Sequence, residues 1–551
     1  MHTVDVTIDA GQWLGEQPHN WTYIGYDEIN YTHTPEGETL LAKFGAFAEQ
    51  PYYVRVRHLL CTGNSHGFYK WGSTNVYREK DGDPIYDWTT IDLVFDTLLQ
   101  NNCKPFVELG FMPQHLADPD RYDITADTWT HHNYKAYGWA CPPKDYDRWF
   151  DLIQGLVVHC LERYGADEVR TWYWELWNEP DLDYYWKGSI AEFNKLYDYT
   201  VAAVKSAYAD ARVGGPGTTN PDANGYSGEF LAAFLEHCVN GTNAYSGEQG
   251  TQLDFLSFHV KGGGYRADPL HEAQKPPSVK QIVDYVKTGY EIINGYPELT
   301  ELECILSEID PDGWAAGGAW DNVNLNFRNT PYYASFVADA FHKVTTFAQE
   351  HNWDVRLLSW AFMFVGERCF EGTRTFSTQG IDKAILNLFR MYAKTGHRAV
   401  SLVSDGAQNP LGYDDKWGMD APSDVSGFAT LRGDHELVVM IYNHHDDWDR
   451  QGEVEVALNV AHLPFSGQNI RLMHYRIDDE HSNAYAEWVR QGKPRYPIGG
   501  QYDAIKARDG LELYTSPQVV DSASGDVRIV FRLPVHGVSL LVLSEARNDV
   551  K

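Results

Sequence analysis

The sequence predicts an α/β chain, a (β/α)₈ TIM barrel with an accessory antiparallel β-sandwich. Three observations carry this. Between about residue 20 and residue 395, short apolar runs alternate with longer amphipathic segments. Eight such runs can be counted, the number that closes a parallel barrel. After about residue 400 the texture changes to strand-like alternation broken by turn residues.

The eight runs are Tyr23 to Tyr26, Tyr52 to Leu60, Lys104 to Gly110, Val169 to Trp177, Arg212 to Gly217, Phe255 to Val260, Cys304 to Ile309 and Leu357 to Phe364. Helical periodicity fills the intervals at Trp88 to Asn101, Tyr146 to Tyr164, Ile190 to Tyr208, Val279 to Asn294 and Tyr332 to Glu350. A doubly wound open sheet is the competing arrangement. It usually carries a Gly-rich phosphate turn after its first strand, and none is evident. The later strands are expected at His435 to Tyr442, Glu453 to Val460, Ile470 to Tyr475, Asp526 to Leu533 and Val538 to Leu543. Thr3 to Ile8 alternates as well. The expected division is a barrel over 14–395 and a sandwich over 396–551, which the N-terminal strand in 1–13 joins.

At 551 residues the chain exceeds one ordinary core. Its formal charge of −32 repels phosphate backbones and anionic lipid, so neither nucleic acid nor a membrane is an expected partner. Aromatic residues make up 14% of the chain, which suits stacking on sugar rings as well as a large core. Seven scattered cysteines with no CxxC pair read as reduced thiols. With no signal-peptide pattern at Met1, they point to a cytoplasmic protein. Oligomeric state is not legible.

Chemistry concentrates at Trp174-Glu175-Leu176-Trp177-Asn178-Glu179-Pro180, where the fourth strand ends. A carboxylic acid can protonate a leaving sugar oxygen, an amide can hold a hydroxyl, and indole rings stack on sugar faces. Glycoside hydrolysis usually needs a second carboxylate across the bond. Glu308 supplies it, near the end of strand seven in Ser307-Glu308-Ile309-Asp310. Barrel active sites lie at the C-terminal strand ends, and strands four and seven face each other. A separation of roughly 5–5.5 Å between the carboxyls is expected for retention.

The chain resembles clan A glycoside hydrolases, and within them glycoside hydrolase family 39, which includes β-xylosidases and α-L-iduronidases. The resemblance rests on Trp174 to Pro180, Leu306 to Asp310, Pro105 to Pro113, Phe327 to Ala334, and His474 to Asp478 followed by His481 to Tyr485. It implies Glu179 as acid/base and Glu308 as nucleophile of a double displacement. A protonated Glu179 and an ionised Glu308 require environments that separate their pKa values.

The resemblance implies further roles. Asn178 matches the residue that bonds the sugar 2-hydroxyl, and Arg55 matches a strand-two arginine able to hold the nucleophile ionised. Family members often read Arg-x-His there, whereas this chain reads Arg55-Val56-Arg57, which alters the pocket for the terminal sugar. His259 is expected to touch sugar, orient the nucleophile, or sit as a satisfied barrel histidine. Lys261, before three glycines, resembles an iduronidase lysine that meets a substrate carboxylate. Glu108 is expected on a hydroxyl or on Arg55. Trp360 is expected as the sugar platform, and Glu371, beside Phe370, on the loop that reaches substrate. Tyr265 and His66 are weaker candidates. His115 and His131-His132 lack helical metal spacing, and no metal or cofactor is expected.

The leading expectation is a retaining exo-glycosidase releasing terminal xylose from xylo-oligosaccharides. Lys261 and Arg57 keep a uronide glycone open, beside arabinosides and galactosides. The non-enzymatic alternative, a catalytically dead carbohydrate-binding protein, has no need for both carboxylates.

Overall fold

The computed structural model describes residues 2–63, 73–122, 138–263, 276–313, 318–319, 322–360, 368–372, 374–409, 421–465, 469–522 and 526–545. Eight parallel strands close into a barrel: Tyr23–Tyr26, Tyr52–Val56, Cys103–Leu109, Tyr173–Leu176, Arg212–Thr218, Phe255–Lys261, Cys304–Asp310 and Val355–Trp360. Closure comes from the eighth strand pairing with the first, Leu358 opposite Tyr23 and Trp360 opposite Gly25. Every run expected to form a barrel strand contributes one.

The surrounding helices follow the expected periodicity, and polar caps set their starts. Asp145 caps Tyr146–Tyr164 by accepting from the amides of Asp147 and Arg148. Ser189 and Glu192 form a capping box on Ile190–Ala207.

The barrel interior is graded along its axis. At the N-terminal end, Tyr23, Tyr53, Phe106, Tyr173 and Phe255 form a continuous ring cluster, with Tyr53 and Tyr173 centroids 4.9 Å apart and Tyr173 and Phe255 5.1 Å apart. This aromatic plug closes the bottom, its tyrosine hydroxyls hydrogen-bonded to one another, to the Thr171 carbonyl and to Glu303. Towards the C-terminal ends the inward side chains become charged, beginning with Arg55, Glu108 and Glu175, all fully buried.

The second sheet has ten strands. The N-terminal strand His2–Glu16 lies between Arg398–Ser404, to which it runs antiparallel, and Glu453–Ala461, to which it runs parallel. The sheet is therefore mixed rather than wholly antiparallel. A strand arriving from the far end of the chain has no hairpin to fix its direction.

One face of this sheet encloses its own core, including Val6, Ile8, Val439, Ile441, Leu458, Phe531 and Leu541. Strand Glu436–His444 turns its alternate residues Val438, Met440 and Tyr442 into the barrel's core, where they meet helix Pro331–Glu350. This strand is thus buried on both faces. An arm of the sheet region, with helices Ala484–Arg490 and Gly500–Lys506, packs Ala484, Trp488 and Ile505 around Phe370 in the segment after strand eight.

All seven cysteines are buried and free. Among the described residues, no helix is long and apolar enough to cross a membrane.

Candidate active site

Strand four delivers Glu179 through an unusual turn. Trp177 and Glu179 both adopt positive φ, 69° and 45°, a conformation that costs energy outside glycine. The turn is anchored on both sides. The Glu179 amide donates to the Gly217 carbonyl at 2.8 Å, and the Trp177 indole donates to the Tyr185 carbonyl at 2.9 Å. Strain held by such anchors directs the Glu179 side chain into the cleft, where it remains 14% exposed.

Glu308 lies opposite, nearly fully buried. A carboxylate oxygen of Glu179 and one of Glu308 lie within 4.8 Å of each other, and a ring nitrogen of His259 lies within that distance of both. His259 Nδ1 is 2.8 Å from Glu179 Oε1 and 3.8 Å from Glu308 Oε2.

Three cations converge on Glu308. Arg55 Nη1 and Arg57 Nη1 reach Oε1 at 3.2 and 3.0 Å, and Lys261 Nζ reaches Oε2 at 2.5 Å. Burial alone would raise this carboxyl, but Lys261, His259 and the two arginines outweigh it and hold Glu308 well below the usual carboxylate range. Glu308 is therefore ionised.

Arg55 organises the layer beneath. It donates to Glu175 at 2.6 Å and to Asn178 Oδ1 at 3.2 Å, and pairs with Glu108 at 2.9 Å. Three carboxylates thus share one guanidinium. Burial pushes Glu108 well above its ordinary pKa, further than Arg55 and Arg57 pull it back.

Glu179 departs from the expected raised pKa. Burial pushes it up and Glu308 adds to that, but the His259 hydrogen bond and charge prevail and leave it below the ordinary value. The expectation considered the two carboxylates alone and left out the imidazole between them.

The structure brings together Glu179, Glu308, Asn178, Arg55, Arg57, Glu108, His259 and Lys261. Glu371 makes a different contact, an ion pair with Arg368 at 2.5 Å. Trp360 ends strand eight, and its side chain lies outside the described residues, as do Tyr265, His66, His131 and His132. His115 Nδ1 accepts the Glu79 amide at 2.8 Å, a structural role.

Several members of the cluster were not anticipated. Asp27 pairs with Arg57 at 2.8 Å, and Tyr185 lies under the Arg57 guanidinium at 4.9 Å. Asp310 accepts from Lys261 at 2.8 Å and from Arg374 at 2.7 Å. Asp310 was legible in principle, because residues two apart on a strand share a face and Glu308 was already placed. Arg374, on a loop after strand eight, carries no such signal.

Glu179, His259 and Glu308 present three donor atoms at a spacing that suits a metal ion. The positive charges on Glu308 oppose one, since an incoming cation would have to displace Lys261 and face Arg55 and Arg57.

Facing carboxylates at the C-terminal mouth of a (β/α)₈ barrel, flanked by an amide and buried cations, define a glycoside hydrolase. The family model for glycosyl hydrolases family 39 matches residues 53–513, and the chain belongs to that family. It is 26% identical over 496 residues to a β-xylosidase of Geobacillus stearothermophilus, covering 86% of this chain and 84% of that one. It is 24% identical over 455 residues to the α-L-iduronidase of Mus musculus, covering 77% of this chain and 63% of that one. The fold is similar to the crystal structure of a monomeric β-xylosidase from Caulobacter crescentus CB15, with a TM-score of 0.77, 21% identity and 99% of each chain covered.

Proposed function

We propose that the chain is a retaining exo-β-D-xylosidase that releases terminal xylose from short xylo-oligosaccharides. The observation that carries the mechanism is the approach of Glu179 and Glu308 oxygens to within 4.8 Å. Inverting enzymes keep their carboxyls roughly 6.5–9.5 Å apart to admit a water, and there is no such room here.

In this reading Glu308 attacks the anomeric carbon while the leaving oxygen takes a proton from Glu179. That proton is shared along the contact between His259 Nδ1 and Glu179 Oε1, so the pair rather than Glu179 alone is the acid. Glu179 then takes a proton from the attacking water as the glycosyl ester breaks. Asn178, oriented by Arg55, presents its amide to the 2-hydroxyl of the terminal sugar.

The xyloside reading is supported by the fuller match to the β-xylosidase, which this chain covers over 84% of its length. It is also supported by the state of Lys261, whose charge is already answered by Glu308 and Asp310 and so favours a neutral glycone. A uronide is the second reading, because Lys261 Nζ lies at the nucleophile, where a glycone carboxylate could compete for it. Seven buried free thiols support action in a reducing compartment, on imported oligosaccharides.

A panel of p-nitrophenyl glycosides tests the glycone. Release from the β-xyloside supports the proposal; release from a uronide or another glycoside with none from the xyloside overturns it. Glu308→Ala should abolish turnover while leaving xylose binding measurable by calorimetry, and unchanged hydrolysis would remove Glu308 from its role.

A further inference from the structure

Arg57 stands where the resemblance leads one to expect a histidine, and its surroundings suit a fixed cation rather than a sugar-reading group. It is 1% exposed. Its Nη1 is 2.8 Å from Asp27 Oδ1 and 3.0 Å from Glu308 Oε1, and its guanidinium carbon lies 4.9 Å from the Tyr185 ring centroid and 6.0 Å from that of Phe111. A guanidinium between an aspartate and an aromatic face loses little further freedom when it bonds a carboxylate. Arg55 meets the same Glu308 oxygen from the same strand, at 3.2 Å.

The two oxygens of Glu308 therefore differ. Oε1 is gripped by two arginines that are themselves held by Asp27, Glu108 and Glu175. Oε2 faces the His259–Glu179 side and bonds Lys261, which has Asp310 at 2.8 Å as a second partner. From this asymmetry, and resting on the retaining mechanism proposed above, we infer that Arg57 is a positioning residue that reserves Glu308 Oε1 as the carbonyl oxygen of the glycosyl ester, leaves Oε2 to attack, and speeds the second step.

In the first step an Oε2 lone pair forms the bond to the anomeric carbon. The bond to the leaving oxygen breaks, its electron pair stays on that oxygen, and the proton from the Glu179–His259 pair neutralises it. Lys261 turns to Asp310 as Oε2 loses its charge. In the second step a water oxygen bonds the anomeric carbon and gives its proton to Glu179, and the ester bond returns its pair to Oε2.

Charge returns to the carboxylate only in this second step, and there the arginine fork stabilises the transition state more than the neutral ester. In the first step the carboxylate is charged at the start and loses charge, so the fork gives no such advantage. Arg57 thus belongs to deglycosylation.

The test is stopped-flow and steady-state kinetics of wild type, Arg57→Gln and Arg57→Lys on the 2,4-dinitrophenyl glycoside that the wild type cleaves. Arg57→Gln should lower kcat by roughly ten- to hundredfold. KM should fall with it, kcat/KM should be nearly preserved, and a burst of one phenolate per active site should appear. Arg57→Lys, which keeps the charge but not the planar fork, should recover part of the loss. Equal losses in kcat and kcat/KM without a burst, in a variant that keeps the wild-type melting temperature, would overturn the inference. So would a rise in KM at constant kcat, the mark of a sugar-binding role. If Arg57→Gln does not fold, the Arg57→Lys kinetics decide by the same signature. A wild type that shows no retained product by NMR would instead defeat the retaining mechanism on which the inference stands.

Discussion

His259 Nδ1 stands 2.8 Å from Glu179 Oε1 and is the largest influence holding that carboxyl below its ordinary pKa, against burial that pushes it up. Replacing His259 with Phe removes the hydrogen bond and leaves burial and Glu308 opposed by the weaker pull of Arg57, so Glu179 should titrate higher. An acid that keeps its proton to higher pH extends activity on the alkaline side. The alkaline limb of kcat/KM should therefore move up in His259→Phe, as read from the pH–rate profile on an aryl glycoside. A limb that stays in place or moves down would show that His259 does not set the acid's proton affinity.

Glu179→Ala removes the proton donor but leaves the nucleophile and its cations in place. Loss should scale with the leaving group. Hydrolysis of xylobiose should fall by about 10²–10⁴-fold. Formation of the glycosyl ester from a dinitrophenyl glycoside, whose leaving oxygen needs no proton, should change far less. Equal losses on both substrates would contradict the role.

Asp339 is fully buried in helix Pro331–Glu350 and borders a cavity of about 20 Å³, with Asp424, Asp446, His444 and His445 among its other walls. Burial, then the charge of Asp424, raise it well above its ordinary value, and Lys343 opposes this only in part. A raised folded-state pKa means that the protonated form stabilises the fold below the unfolded value of 3.8, and that this contribution is lost as pH rises through the folded value. Asp339→Asn should therefore flatten the decline. The variant should melt higher than wild type at pH 8, and the gap should close as pH falls towards 4. Parallel melting curves across that range would refute the reading.

Phe370 is fully buried between the segment after strand eight and the arm of the second sheet, with the Tyr485 and Trp488 rings each 5.3 Å away. Its backbone carbonyl accepts from Asn329 Nδ2 at 2.9 Å. Phe370→Ala should cost about 3–5 kcal/mol in chemical denaturation. A loss under 1 kcal/mol would mean that the arm closes the cavity by moving.

The barrel was legible because its signal is redundant. Eight apolar runs such as Phe255 to Val260, separated by capped helices, admit few other closures. Glu179 stood out because Asn and Pro flank it at a strand end, and Glu308 because the strand opposite had to supply a partner. The residues that tune these two were harder to see. Glu175 sits inside an apolar strand, where a carboxylate gives no hint that Arg55 pairs with it. Asp27 and Arg374 come from positions whose proximity exists only once the barrel closes. The parallel pairing of His2–Glu16 with Glu453–Ala461 was equally out of reach, because alternation records which face is buried and not which way a distant neighbour runs.

Strand Glu436–His444 has no solvent face. Its Val439 and Ile441 serve the second sheet while its Val438, Met440 and Tyr442 complete the barrel. The two halves are therefore not separable parts in a biotechnological sense. A catalytic fragment cut near residue 395 would carry a raw apolar flank along helix Pro331–Glu350 and would be prone to clump on expression. Grafting the barrel onto another carrier would require repainting that flank with polar residues first.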